Sequence, residues 1–127
     1  MINEDYVSAG VARLLDEKGF DEPTPMVWYN YTEDNGYELE EVGGKFNRDA
    51  MLHAPTVNVA VKWLRENHNI HVTTVPTSES NTYGDWEAII CYADDGIDAT
   101  DNACGHIYAD TPEECMDEAL KYVLTRL

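Results

Sequence analysis

The chain has 127 residues, 43% of them apolar, and 25 acidic side chains against 8 basic ones give a formal net charge of −17. A polyanion of that strength repels nucleic-acid phosphates and anionic membrane surfaces, so direct nucleic acid and membrane are excluded as partners. The length suits a single domain, residues 1–127, and the 8 tyrosines and 3 tryptophans supply core material that a disordered acidic tail lacks.

The opening MINEDYVSAG has neither a basic stretch nor an apolar one, so it does not read as a secretory signal. No apolar run approaches the roughly 20 residues of a membrane span. Cys91, Cys104 and Cys115 form an odd set without paired spacing, which reads as reduced thiols. The expected location is cytoplasmic.

Residues 3–18 are expected to form an amphipathic helix, with Val7, Val11, Leu14 and Leu15 on one stripe. Asn3 suits the N-cap, and Gly19 the position just past the end, with Phe20 folding back on the last turn. After the stop signal DEPTP, the aromatic stretch 26–32 suits a strand. Residues 33–36 carry the Asn-Gly hairpin signal, and 37–42 return with Tyr37 and Leu39 on one face and Glu38 and Glu40 on the other. Residues 45–53 are ambiguous, with room for a short turn.

A second helix is expected from Pro55-Thr56 to about Asn67, burying Val57, Ala60, Val61 and Leu64 with Trp63 at the flank. A β-branched strand follows over 70–75, then a polar loop, a strand over 86–93, an Asp-rich loop over 94–102 and a short strand over 103–108. The last helix has the cleanest start: Thr111 as N-cap, Pro112 at the first helical position and Glu114 two further on. Its inward stripe reads as Cys115, Ala119, Tyr122, Val123 and Leu127. The order α-β-β-α-β-β-β-α lacks strict βαβ alternation. It points to an α+β domain, an antiparallel sheet of about four to five strands packed with three helices.

The segment Ala54-Pro-Thr-Val-Asn-Val-Ala-Val-Lys-Trp-Leu-Arg-Glu-Asn-His-Asn-Ile70 and the ending Thr111-Pro-Glu-Glu-Cys-Met-Asp-Glu-Ala-Leu-Lys-Tyr-Val-Leu124 resemble small proteins encoded in Bacteroides genomes and their phages. Those proteins pair an "APT…KWLRE.HNI" helix-strand unit with a "TYEEA…A.KY.L" C-terminal helix. The stretches Asn3-Glu-Asp-Tyr-Val7 and Lys18-Gly-Phe-Asp-Glu-Pro23 are similar too. The resemblance implies a gut-bacterial or phage origin and carries over no catalytic residues, since the shared positions are of core and capping type.

Asp94, Asp95, Asp98 and Asp101 form the one loop with enough oxygens to hold a hard cation, but Gly96 comes too early for an EF-hand and no Glu closes the loop. A solvated turn is the simpler reading. His68, His71, Cys91, Cys104 and His106 could be assembled into a zinc site only without the usual spacing. Cys104, beside Gly105-His106, is the sole mild candidate for a reactive thiol. Trp28, Tyr29, Tyr31, Tyr37 and Tyr83 could build an aromatic patch, though such residues more often pack in strands. Glu33, Asp34, Glu38, Glu40 and Glu41 on the hairpin are the candidate protein contacts, and they also guard a strand edge.

No cofactor and no catalytic activity are expected. The expected function is a small acidic accessory protein that contacts a host protein with a basic surface, in its sharper form a nucleic-acid mimic or anti-defence inhibitor. The alternatives are a self-associating structural protein and a weak metal-binding protein or enzyme. The charge is uneven: residues 45–65 hold Lys45, Arg48, Lys62 and Arg65 against Asp49 alone, while acid gathers at 33–41, 94–101 and 110–118.

Overall fold

A computed structural model describes residues 6–30, 36–42, 45–47, 50–77, 84–92, 97–98 and 107–127. Among them the order is α1 (Ala9–Glu17), β1 (Met26–Asn30), β2 (Tyr37–Glu41), β3 (Met51–His53), α2 (Val57–His68), β4 (Ile70–Pro76), β5 (Trp86–Tyr92), β6 (Ile97–Asp98), β7 (Ile107–Ala109) and α3 (Pro112–Thr125). All strand pairs are antiparallel, and the class is α+β. The strands lie in two sheets, where the sequence suggested one. The two unexpected strands are β3 and β6, of 3 and 2 residues, too short to show alternation. The chain divides into two compact units, Met1–Ala60 with Leu127, and Val61–Arg126.

In the first unit the sheet order is β2-β1-β3. Helix α1 starts later than expected. Ser8 is extended (φ −67°, ψ 162°), and its hydroxyl accepts a hydrogen bond from the Val11 N–H at 3.2 Å. Tyr6 bridges Thr56, and the Val7 N–H donates to the Pro55 carbonyl at 3.0 Å, so this lead-in is extended. A serine close to the apolar stripe caps the helix, and Asn3 lies outside the described residues. The expected stop holds. Gly19 has φ +94°, its N–H donates to the Asp16 carbonyl, and the Phe20 N–H donates to the Leu15 carbonyl. That is the Schellman pair of bonds. Phe20 is buried, as are Val11, Ala12 and Leu15 on α1 and Val27 on β1.

Among the described residues of this unit, His53 is the buried polar one. Phe46 stacks on its ring at 3.9 Å, and Phe20 meets it edge-on at 6.2 Å. The Thr24 hydroxyl lies 3.4 Å from Nδ1, donates to the Met26 carbonyl at 2.6 Å and accepts from the Ala54 N–H at 3.3 Å. A hydroxyl has one proton to give, and Met26 receives it. On the other side of the ring, Nε2 lies 3.8 Å from Asp21 Oδ1.

In the second unit β5 is central. It pairs with β4 over all seven residues, from Ile70 opposite Tyr92 to Pro76 opposite Trp86. Its other side pairs with β6 near one end and β7 near the other. Burial alternates on the first four residues of β4: Ile70 and Val72 are buried, His71 and Thr73 exposed. Helix α3 packs against β4, β5 and β7. Its buried residues are Cys115, Ala119, Leu120, Val123 and Leu124. Tyr122 and Leu127, placed inward by the sequence pattern, are instead half-buried and 38% exposed. The stripe shifts by one residue because Leu120 and Leu124 follow Ala119 and Val123 on a face wide enough for both. The Arg126 guanidinium lies over the Tyr122 ring at 3.5 Å.

Helix α2 crosses the division between the units. Ala60 and Leu64 are buried as expected, and Trp63, placed at the flank by its spacing, is 8% exposed. The Thr56 hydroxyl accepts from the Val59 N–H at 3.3 Å, and Asn69 at φ +55° ends the helix.

Candidate functional site

The second unit places most of its described carboxylates in one cleft. β7 ends at Ala109, and two residues later the Thr111 hydroxyl accepts from the Glu114 N–H at 3.2 Å and starts α3. This tight join sets the strand end beside the first two turns of the helix. The result is an open cleft of about 520 Å³ lined by Tyr108, Ala109, Asp110, Glu113, Glu114, Asp117 and Glu118.

Helical spacing explains the helix side of this wall. Glu113 and Asp117 are four residues apart, as are Glu114 and Glu118, so the acids form two rows on one face. Like charges at that spacing cost about 0.2–0.5 kcal/mol per pair. Two features offset the cost. Glu113 and Glu114 stand in the first turn, where the helix dipole favours anions. Asp117 accepts a contact from Lys121 Nζ at 3.0 Å, and this hydrogen bond is the main cause of the raised Lys121 pKa. Asp110, Glu113, Glu114 and Glu118 are exposed, and Tyr108 is half-buried. Such a wall can receive ammonium and guanidinium groups, with the phenol ring as an apolar step beside them.

The hairpin acids divide between two faces. Glu38 lies opposite Tyr29 and Glu40 opposite Val27, which places both on the face shared with Met51 and His53. Glu41, opposite Met26, is on the other face. Glu33 and Asp34 lie outside the described residues. Of the aromatic patch, register places Trp28 and Tyr37 on one face and Tyr29 on the other, and Trp28 Nε1 donates to the Val7 carbonyl at 2.8 Å while the Tyr37 hydroxyl accepts from Arg13 at 3.3 Å. Trp28 and Tyr37 therefore hold the first unit together. Tyr31 and Tyr83 lie outside the described residues.

Of the Asp-rich loop, Asp94, Asp95 and Asp101 lie outside the described residues. The stretch Ile97–Asp98 forms strand β6, with Asp98 at the register position opposite Cys91. Of the histidines and cysteines, register brings His71 opposite Cys91, while His68 meets the Trp63 ring edge-on at 4.9 Å. Cys104 and His106 are outside the described residues. Among the described residues no three His, Cys, Asp or Glu side chains are grouped to hold a metal ion. Cys115 is buried, and burial, with a contribution from the Glu87 charge, pushes its thiol up to about 11. A thiol so held is protonated at neutral pH and is a poor nucleophile.

In the sequence the acid at 110–118 is a linear concentration. Tyr108 and the opposition of β7 to α3 come only from the strand-to-helix join. Thr111-Pro112 marked that join, and a strand end two residues before an N-cap was the available signal. No described helix is long and apolar enough to cross a membrane. Comparison of the chain with protein-family models, curated proteins and solved structures finds no match.

Proposed function

We propose that this chain is a small, non-enzymatic, acidic binding protein of bacterial or phage origin that engages a host protein through a basic surface on that partner. The observation that carries the reading is the cleft of Tyr108, Asp110, Glu113, Glu114, Asp117 and Glu118, in a chain of net charge −17. Carboxylates exposed in two helical rows attract a lysine- or arginine-rich surface at long range and then accept charge-assisted hydrogen bonds from it. A partner that normally holds nucleic-acid phosphates has such a surface, which gives the nucleic-acid mimic and anti-defence form of the proposal. The origin rests on the resemblance of the 54–70 and 111–124 stretches to Bacteroides and phage proteins. The host cytoplasm is the corresponding place of action.

The test is affinity capture from bacterial cytosol with the unaltered chain and with a triple variant, Glu113→Gln, Glu114→Gln and Glu118→Gln. Partners should be retained at low salt, released at about 1 M salt where the Debye length falls to about 3 Å, and lost with the variant. Capture that survives high salt, or that the variant leaves unchanged, rules the proposal out.

A further inference from the structure

Among the described residues, each open strand edge other than β4 is short or charged. At one edge of the first sheet β2 carries Glu38, Glu40 and Glu41, and at the other β3 has 3 residues. On the far side of the second sheet β6 and β7 have 2 and 3 residues. Charges, short lengths and proline are the ordinary means of keeping an edge from pairing with another chain. β4 is the least guarded edge, its one such device being Pro76 at the end of the strand. It runs seven residues, Ile-His-Val-Thr-Thr-Val-Pro, and among the described residues no strand pairs with its second side. It holds no acid and no lysine, in a chain with 25 acidic side chains, and its β-branched residues suit a pleated ladder.

We infer that the β4 edge is a self-association surface, on which β4 of a second copy of this chain adds antiparallel across a two-fold axis at Thr73. The sequence is self-complementary in that register: Thr73 meets Thr73, Val72 meets Thr74, His71 meets Val75 and Ile70 meets Pro76. No like charges oppose, and a central threonine pair is a favourable cross-strand contact. Directly opposed residues of an antiparallel pair share a face, so the buried side of Ile70 and Val72 continues across the axis. Both α3 helices then lie on the same side of one joined sheet. The charge selects the occupant. Two chains of −17 repel everywhere acid is dense, and β4 is where they can meet with no acid on the paired strands. A basic partner has nothing on β4 to recognise. This surface is separate from the acidic cleft and does not rest on it.

Sedimentation equilibrium over a wide concentration range tests the inference, with Thr73→Lys at the edge and Glu40→Lys on β2 as control. The unaltered chain should show a monomer–dimer equilibrium that tightens as salt rises, since screening relieves the mutual repulsion. Thr73→Lys, which places two ammonium groups together at the axis, should weaken it at least tenfold, and Glu40→Lys should not weaken it. Amide exchange over residues 70–76 of the unaltered chain should slow as concentration rises, a readout that needs no variant. A monomer at every concentration overturns the inference. So does a dimer that Thr73→Lys leaves intact, or exchange over 70–76 that ignores concentration.

Discussion

The Cys115 thiol is held at the start of α3, where its S–H donates to the Ile107 carbonyl across 3.6 Å. Its pKa, raised from 9.0 to about 11, means that the folded chain keeps this proton more tightly than the unfolded one. The associated stability is fully present below pH 9 and is lost as pH rises through about 11. Comparing urea denaturation of the unaltered chain and Cys115→Ala at pH 8 and pH 11 checks this. The alanine variant should be less stable at pH 8, and the gap should narrow at the higher pH; a constant gap contradicts the argument. Residues of this kind were partly legible. The apolar pattern around Cys115 placed it inward, and Gly19 before Phe20 announced the helix stop. His53 was not legible, because its place depends on Asp21 and Thr24 from the connection between α1 and β1 and on Phe46 from the stretch before β3.

Elements were legible where periodicity had room to show itself. α2, β4, β5 and α3 span 12, 7, 7 and 14 residues and lie within a few residues of where the pattern put them. β3 and β6 had no such room, and the alternation of a strand says which face is buried without saying which strands pair. Joins between elements are decided by contacts that no pattern carries, and Gly84 is the sharpest case. It precedes β5 at φ +145°, and a Cβ there would lie 2.5 Å from the carbonyl oxygen of Ala109 at the end of β7. Gly19, at φ +94°, has open space at the same position. Gly19→Ala should therefore cost about 1 kcal/mol, from backbone strain alone. Gly84→Ala should cost at least about 2 kcal/mol, since strand β7 must also move. Chemical denaturation of the two variants measures the difference, and equal or inverted costs would contradict the geometry.

For the whole molecule, the net charge of −17 works against compactness, because like charges repel more strongly when folded than when the chain is expanded. Raising salt from about 0.01 M to about 0.1 M shortens the Debye length from about 30 Å to about 10 Å. The melting temperature should rise by several degrees over that range at fixed, dilute protein concentration. A flat or falling melting temperature means that the acids are already neutralised within the fold. The same change weakens attraction to a basic partner, so stability and partner affinity should respond to salt with opposite signs. The charge total and the acid-rich stretches were plain in the sequence, and the grouping of five carboxylates in one cleft was not. That grouping depends on helix phase and on where β7 ends. The division into units has a kinetic consequence. Each unit is essentially one continuous stretch of chain, and apart from the Tyr6–Thr56 bridge the widest pairing between strands among the described residues, Val27 with His53, spans 26 positions. Loops of that size close quickly, and few long-range closures slow the search. During synthesis, every strand of the first sheet is made before β4, so the first sheet can form while the second is still being translated.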